Sequence, residues 1–61
     1  MSLPKDPFML LSFLNTKLRD DYESFDEFCE ENDEIKGEIE EKLKSIGYCY
    51  DSNTNSFKEF I

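Results

Sequence analysis

The chain of 61 residues carries seven Lys or Arg against fifteen Asp or Glu, has no His, and so bears a net charge of −8. Its length allows one small domain near the lower limit for a self-sufficient hydrophobic core. Excess acid disfavours phosphate backbones and anionic membranes as partners, and the lack of imidazole removes the commonest general base and metal ligand.

The acidity is not spread evenly. Residues 1–19 sum to +2, residues 20–34 to −9 and residues 35–61 to −1. A block of this kind reads first as a solvated helix face, and second as a docking surface for a basic protein. The hydrophobic fraction of 38%, with six Phe and three Tyr, is enough for a compact core, so the chain is not read as disordered.

Residues 1–5 form a lead-in, and the first helix is expected over about 7–20. Asp6 supplies an N-cap carboxylate, and Pro7 suits the first helical position because the N–H it lacks would have no partner there. Met9, Leu10, Leu11, Phe13, Leu14 and Leu18 cover an arc of roughly 200°, against about 100° for an ordinary surface helix. Such an arc implies a central helix or a second apolar contact. On the narrow polar face lie Ser12, Asn15 and Arg19, where an anion could bind. The simpler role for Arg19 is to pair with the acidic block and tie the first helix to the second.

The second helix is expected over about 24–31, opened by a capping box of Ser24 and Glu27, with Phe25, Phe28 and Cys29 on one face. Asn32 or Asp33 then caps a third helix over about 34–46, whose Ile35, Ile39, Leu43 and Ile46 fall in one stripe and which ends at Gly47. Glu38 with Lys42 and Glu40 with Lys44 have the favourable i,i+4 order. Gly37 breaks the helical pattern and implies an irregular first turn or a close neighbour. From Tyr48 the period changes to two, and the aromatic segments on either side of Ser52-Asn53-Thr54-Asn55 predict a hairpin over about 48–60 with a loop of four to six residues. Its aromatics should pack on the helices, because two strands alone are marginal.

Asp51, Asn53 and Asn55 alternate as the first ligands of a calcium loop do, but the sixth position is Ser56 instead of Gly and the twelfth would lie past Ile61. An Asx-type turn accounts for the same residues. No metal, cofactor or catalytic residue is expected: there is no phosphate-binding Gly-rich loop, and neither Cys29 nor Cys49 has a neighbouring base. Nineteen residues separate these two cysteines, and both are read as free thiols in a reducing compartment. The apolar run Phe8–Leu14, seven residues long, is too short to span a bilayer and lacks the features of a signal peptide.

Three helices followed by a hairpin also have the order of a winged helix-turn-helix protein. Against DNA binding, the third helix sets Glu34, Glu38, Glu40 and Glu41 against Lys36, Lys42 and Lys44, and the wing has only Lys58.

Over Lys5-Asp6-Pro7, the run from Asn15 through Lys17-Leu18-Arg19-Asp20, and Gly47-Tyr48 followed by Tyr50-Asp51 and Phe57, the chain resembles the short bacterial proteins of domain of unknown function family 4250. The resemblance runs over nearly the whole chain. It implies a small cytoplasmic bacterial protein and carries no activity, cofactor or site.

The expected fold is α+β and mainly α, a single domain over residues 1–61 with three helices and a C-terminal β-hairpin in a helix-turn-helix-like layout. The expected function is a non-enzymatic protein-interaction module that binds a second copy of itself or another protein through Met9, Leu10 and Phe13. Leu14, Leu18, Phe25, Phe28, Ile35, Ile39, Leu43 and Ile46 are assigned to the core. A nucleic-acid-binding winged helix is the alternative, and no membrane partner is expected.

Overall fold

Asp6 and Pro7 open the first helix as their chemistry requires. In the computed structural model, which describes residues 3–60, α1 spans Pro7–Asp20 and the Asp6 carboxylate accepts the Phe8 N–H at 3.4 Å. Helix α2 spans Phe25–Glu31 behind Ser24, whose hydroxyl accepts the Glu27 N–H at 3.1 Å. Helix α3 spans Lys36–Lys44, and strands β1 (Tyr48–Asp51) and β2 (Ser56–Glu59) form the hairpin. The architecture is thus the expected small α+β domain, three helices and then a two-stranded antiparallel sheet.

The third helix starts two residues later than the sequence suggests, because the Glu31-Asn32-Asp33 turn ends α2 instead of capping α3. Asp33 adopts φ 54°, its N–H bonds the Glu30 carbonyl, and the Glu34 N–H bonds the Cys29 carbonyl at 2.9 Å. That is the paired closure of a Schellman motif, with Asp in the left-handed place that Gly usually takes. The Asn32 amide donates backwards to the Phe28 carbonyl and to the Tyr22 hydroxyl, so it too serves α2. Ile35 is left as an extended residue at the start of α3 with no side-chain cap. At the other end the helical hydrogen bonds tighten after Lys44, Ile46 bonding Leu43 and Gly47 bonding Lys44, and Gly47 takes the expected left-handed φ of 86°.

Leu10, Leu14 and Leu18 of α1 meet Phe25, Phe28 and Cys29 of α2, Ile39 and Leu43 of α3, and Phe57 of β2 in one core. Phe25 is the hub: its ring lies 6.5 Å from Phe28 in a stacked arrangement, 5.5 Å from Tyr50, and 5.0 Å from Phe57 edge to face. Aromatic pairs of this geometry add about 0.5–1.5 kcal/mol each beyond the area they bury. The hairpin therefore closes the helices, as its aromatics suggest.

Two core assignments need correction. Ile35 is 65% exposed, because it precedes the first helical turn and so falls off the stripe it would join in a longer helix. Ile46 is only half-buried, beyond the end of α3, although it still packs against the core. Gly37 has no heavy atom within 4 Å of the place a Cβ would occupy, so it is not a close-packing glycine. The expected Glu38–Lys42 and Glu40–Lys44 pairs are not formed; among the described residues the ion pairs are Lys17–Asp21, Arg19–Asp20 and Lys36–Asp26.

Candidate interaction surfaces

Helix α1 divides its wide apolar arc between the core and solvent. The middle of the arc, Leu10, Leu14 and Leu18, is sealed inside, while Leu11 and Phe13 on its two flanks are half-buried. Beyond the Phe13 flank Met9 is 62% exposed, whereas Phe8, 61% exposed, lies toward the other flank beside Leu11, Ser12 and Asn15. Leu10, expected in the interface, is 1% exposed and belongs to the core, since it sits on the same side of the helix as Leu14 and lies beside Ile39 of α3. The exposed patch is thus Met9 with the half-buried Phe13 one turn on. Phe8 escapes the sequence reading because it lies outside the continuous arc. The Lys17 ammonium stands 5.8 Å from the centre of the Phe13 ring and also reaches Asp21 at 3.4 Å, so the patch is bounded on one side by a cation.

The polar face of α1 is occupied by internal bonds. Asn15 accepts the Phe57 N–H at 2.7 Å and donates to the Phe57 carbonyl at 3.2 Å, standing in for a neighbouring strand along β2. Arg19 donates from Nε and Nη2 to both carboxylate oxygens of Asp20, at 2.9 and 3.0 Å. It does not reach α2, because its neighbour offers a two-point partner first. That pairing holds the Asp20 carboxyl below its ordinary range and raises the Arg19 guanidinium further. The tie across helices comes instead from Lys36 of α3, 2.8 Å from Asp26 of α2, and that hydrogen bond raises the Lys36 ammonium.

The hairpin loop resolves into two kinds of turn chemistry. Asp51 accepts the Asn53 N–H at 2.9 Å, which is the expected Asx turn. Asn55, at φ 52°, points its side chain inward, donates to the carbonyls of Leu18 and Tyr22 and accepts from the Tyr50 hydroxyl at 2.6 Å. The same hydroxyl accepts the Phe25 N–H at 3.2 Å. Asn55 therefore joins α1, the α1–α2 connection and β1, and its donors and acceptor are committed inside the fold instead of facing an ion.

A second apolar surface has no counterpart in the sequence reading. A groove of about 850 Å³ runs between α3 and β1, from Ile35 past Gly37, Cys49 and Tyr50 to Phe60, with Glu38, Glu40 and Glu41 along the α3 side. Phe60 is 50% exposed. Only the folded arrangement puts these residues together, since Ile35 precedes α3, Phe60 follows β2, and the stripe that includes Ile35 assigns it to the core.

Of the two thiols, Cys29 is buried and Cys49 exposed. Burial pushes the Cys29 thiol above its ordinary pKa, with Lys36 opposing the shift. Among the described residues no helix is long and apolar enough to cross a membrane.

A family model described as Domain of unknown function (DUF4250) matches residues 4–57. No curated protein and no solved structure matches the chain.

Proposed function

The chain belongs to the DUF4250 family, and we propose that it is a non-enzymatic protein-interaction module whose contact surface is the patch of Met9 and Phe13 on α1, with a second copy of the chain as partner. One observation carries this reading: Met9 stands 62% exposed one turn before the half-buried Phe13, on the flank of the helix whose middle residue Leu10 is sealed in the core. Apolar side chains gathered in this way on a small domain favour an interface. Charge favours self-association here more than elsewhere on the surface, because residues 1–19 are net positive while residues 20–34 hold nine acids. Two copies meeting through α1 keep their acidic blocks apart.

A catalytic role has less support. The carboxylates of the acidic block stand mostly on exposed faces, outside any enclosed cleft that could hold a substrate. The buried thiol is pushed away from the reactive thiolate form. The exposed free thiol of Cys49 suits a reducing compartment, and the bacterial cytoplasm is part of this proposal.

Thermal unfolding over a range of protein concentrations tests it. Self-association through the patch raises the wild-type midpoint as concentration rises. In Met9→Asp this dependence disappears while the far-ultraviolet circular dichroism stays native. A wild-type midpoint independent of concentration would refute the self-association.

A further inference from the structure

The register of the hairpin leaves one edge of β1 without a partner. Tyr48 faces Glu59, Cys49 faces Lys58, Tyr50 faces Phe57 and Asp51 faces Ser56. The Phe60 N–H bonds the Gly47 carbonyl at 3.0 Å, and Phe57 turns both its main-chain groups outward to Asn15. Antiparallel pairs alternate between bonded and non-bonded. Cys49–Lys58 and Asp51–Ser56 are therefore the bonded pairs, and the N–H and C=O groups of Tyr48 and Tyr50 point away from β2. The outer edge of β2 is covered by the Asn15 side chain. On the β1 side the packed element is α3, and among the described residues no main-chain hydrogen bond joins the two.

That open edge borders the groove between α3 and β1. Its apolar surface comes from Ile35, Tyr50 and Phe60, and Gly37 leaves room where any other residue would project. Its α3 wall carries Glu38, Glu40 and Glu41 against the single cation Lys44. We propose that this groove takes an extended basic segment of another protein, which adds as a third strand to β1. Main-chain groups of the segment pair with those of Tyr48 and Tyr50, as in strand addition to other exposed sheet edges. Alternate side chains of a strand face opposite ways. One set packs on Ile35 and Phe60, and the other carries the Lys or Arg that meet the α3 carboxylates. A second copy of this chain is the poorer occupant, because its net charge of −8 opposes the same wall.

The test is a titration of the ¹⁵N-labelled full chain with a short peptide alternating lysine and valine, followed by amide shifts. Saturable shifts are expected at Tyr48, Tyr50 and Gly37. A peptide with glutamate in place of lysine should bind at least about ten-fold more weakly, as like charges meet across the groove. Gly37→Lys, which puts a long cationic side chain into open space without disturbing the core, should weaken the lysine peptide by a similar factor. Met9→Asp should leave binding unchanged, which separates this site from the α1 patch. Absence of shifts at β1, shifts confined to α1 or to residues 20–34, or undiminished binding by Gly37→Lys would each overturn the proposal. So would concentration-dependent shifts of Tyr48 and Tyr50 in the protein alone, which would assign the edge to a second copy.

Discussion

Asn55 holds together more of this molecule than its place in a surface loop suggests. Its amide bonds two main-chain carbonyls near the end of α1, its carbonyl holds the Tyr50 hydroxyl, and its backbone sits at a positive φ that Asn tolerates better than most residues. Asn55→Gly keeps the backbone freedom and removes the bonds. Leaving such partners unpaired costs about 1–3 kcal/mol, a large share of what a core of this size supplies, and urea unfolding should show the loss as a lower midpoint with an unchanged slope. The thiols give a second residue-scale expectation. Cys49 should react at once with a thiol reagent, whereas Cys29 should react only as the chain opens, so labelling under native conditions should be biphasic. Because burial raises the Cys29 pKa in the folded state, its contribution to stability is complete below the thiol's unfolded value and is lost as pH rises through that value and up to the folded one. Caps such as Asp6 and Ser24 were legible in the sequence because each acts on a backbone group two or three residues away. The inward turn of Asn55 was not, since it depends on where α1 ends up relative to the hairpin.

At the scale of elements, α1 and α3 show the same limit in different ways. The periodicity of α1 marks every residue that could be buried, and the neighbours decide which ones are. Leu10, Leu14 and Leu18 join the core with residues of α3 and β2, so the arc is covered in its middle and Met9 is left in solvent. In α3 the stripe was read one residue too far toward the N-terminus. The Schellman closure at Asp33 uses the residues that looked like an N-cap, and Ile35 falls outside the helix as a result. The single glycine inside α3 gives a clean check of its open surroundings. Gly37→Ala should stabilise the chain by about 0.5–1 kcal/mol, because it removes backbone entropy from the unfolded state and meets nothing in the folded one. A destabilised variant in chemical denaturation would mean that something does pack against Gly37.

Across the whole molecule, charge and apolar surface are distributed in opposite senses. The nine acids of residues 20–34 run from the end of α1 to the approach to α3, and all three ion pairs among the described residues draw on them. The patch of Met9 and Phe13 lies at the opposite, net positive end of the sequence, while the groove beside β1 combines an apolar floor with an acidic wall. The two surfaces are therefore proposed for different partners, one a second copy of the chain and one of opposite charge. The helical order and the hairpin followed from period and turn chemistry alone, but the second surface needs Ile35 and Phe60 brought together across α3 and β1, which no local pattern encodes. The self-association of α1 is tested most directly by sedimentation equilibrium of the wild-type chain over a wide micromolar range. A dimer that dissociates on dilution, and that Met9→Asp abolishes, is the predicted result. A single species of the monomer mass, 7.3 kDa, at every concentration would contradict it.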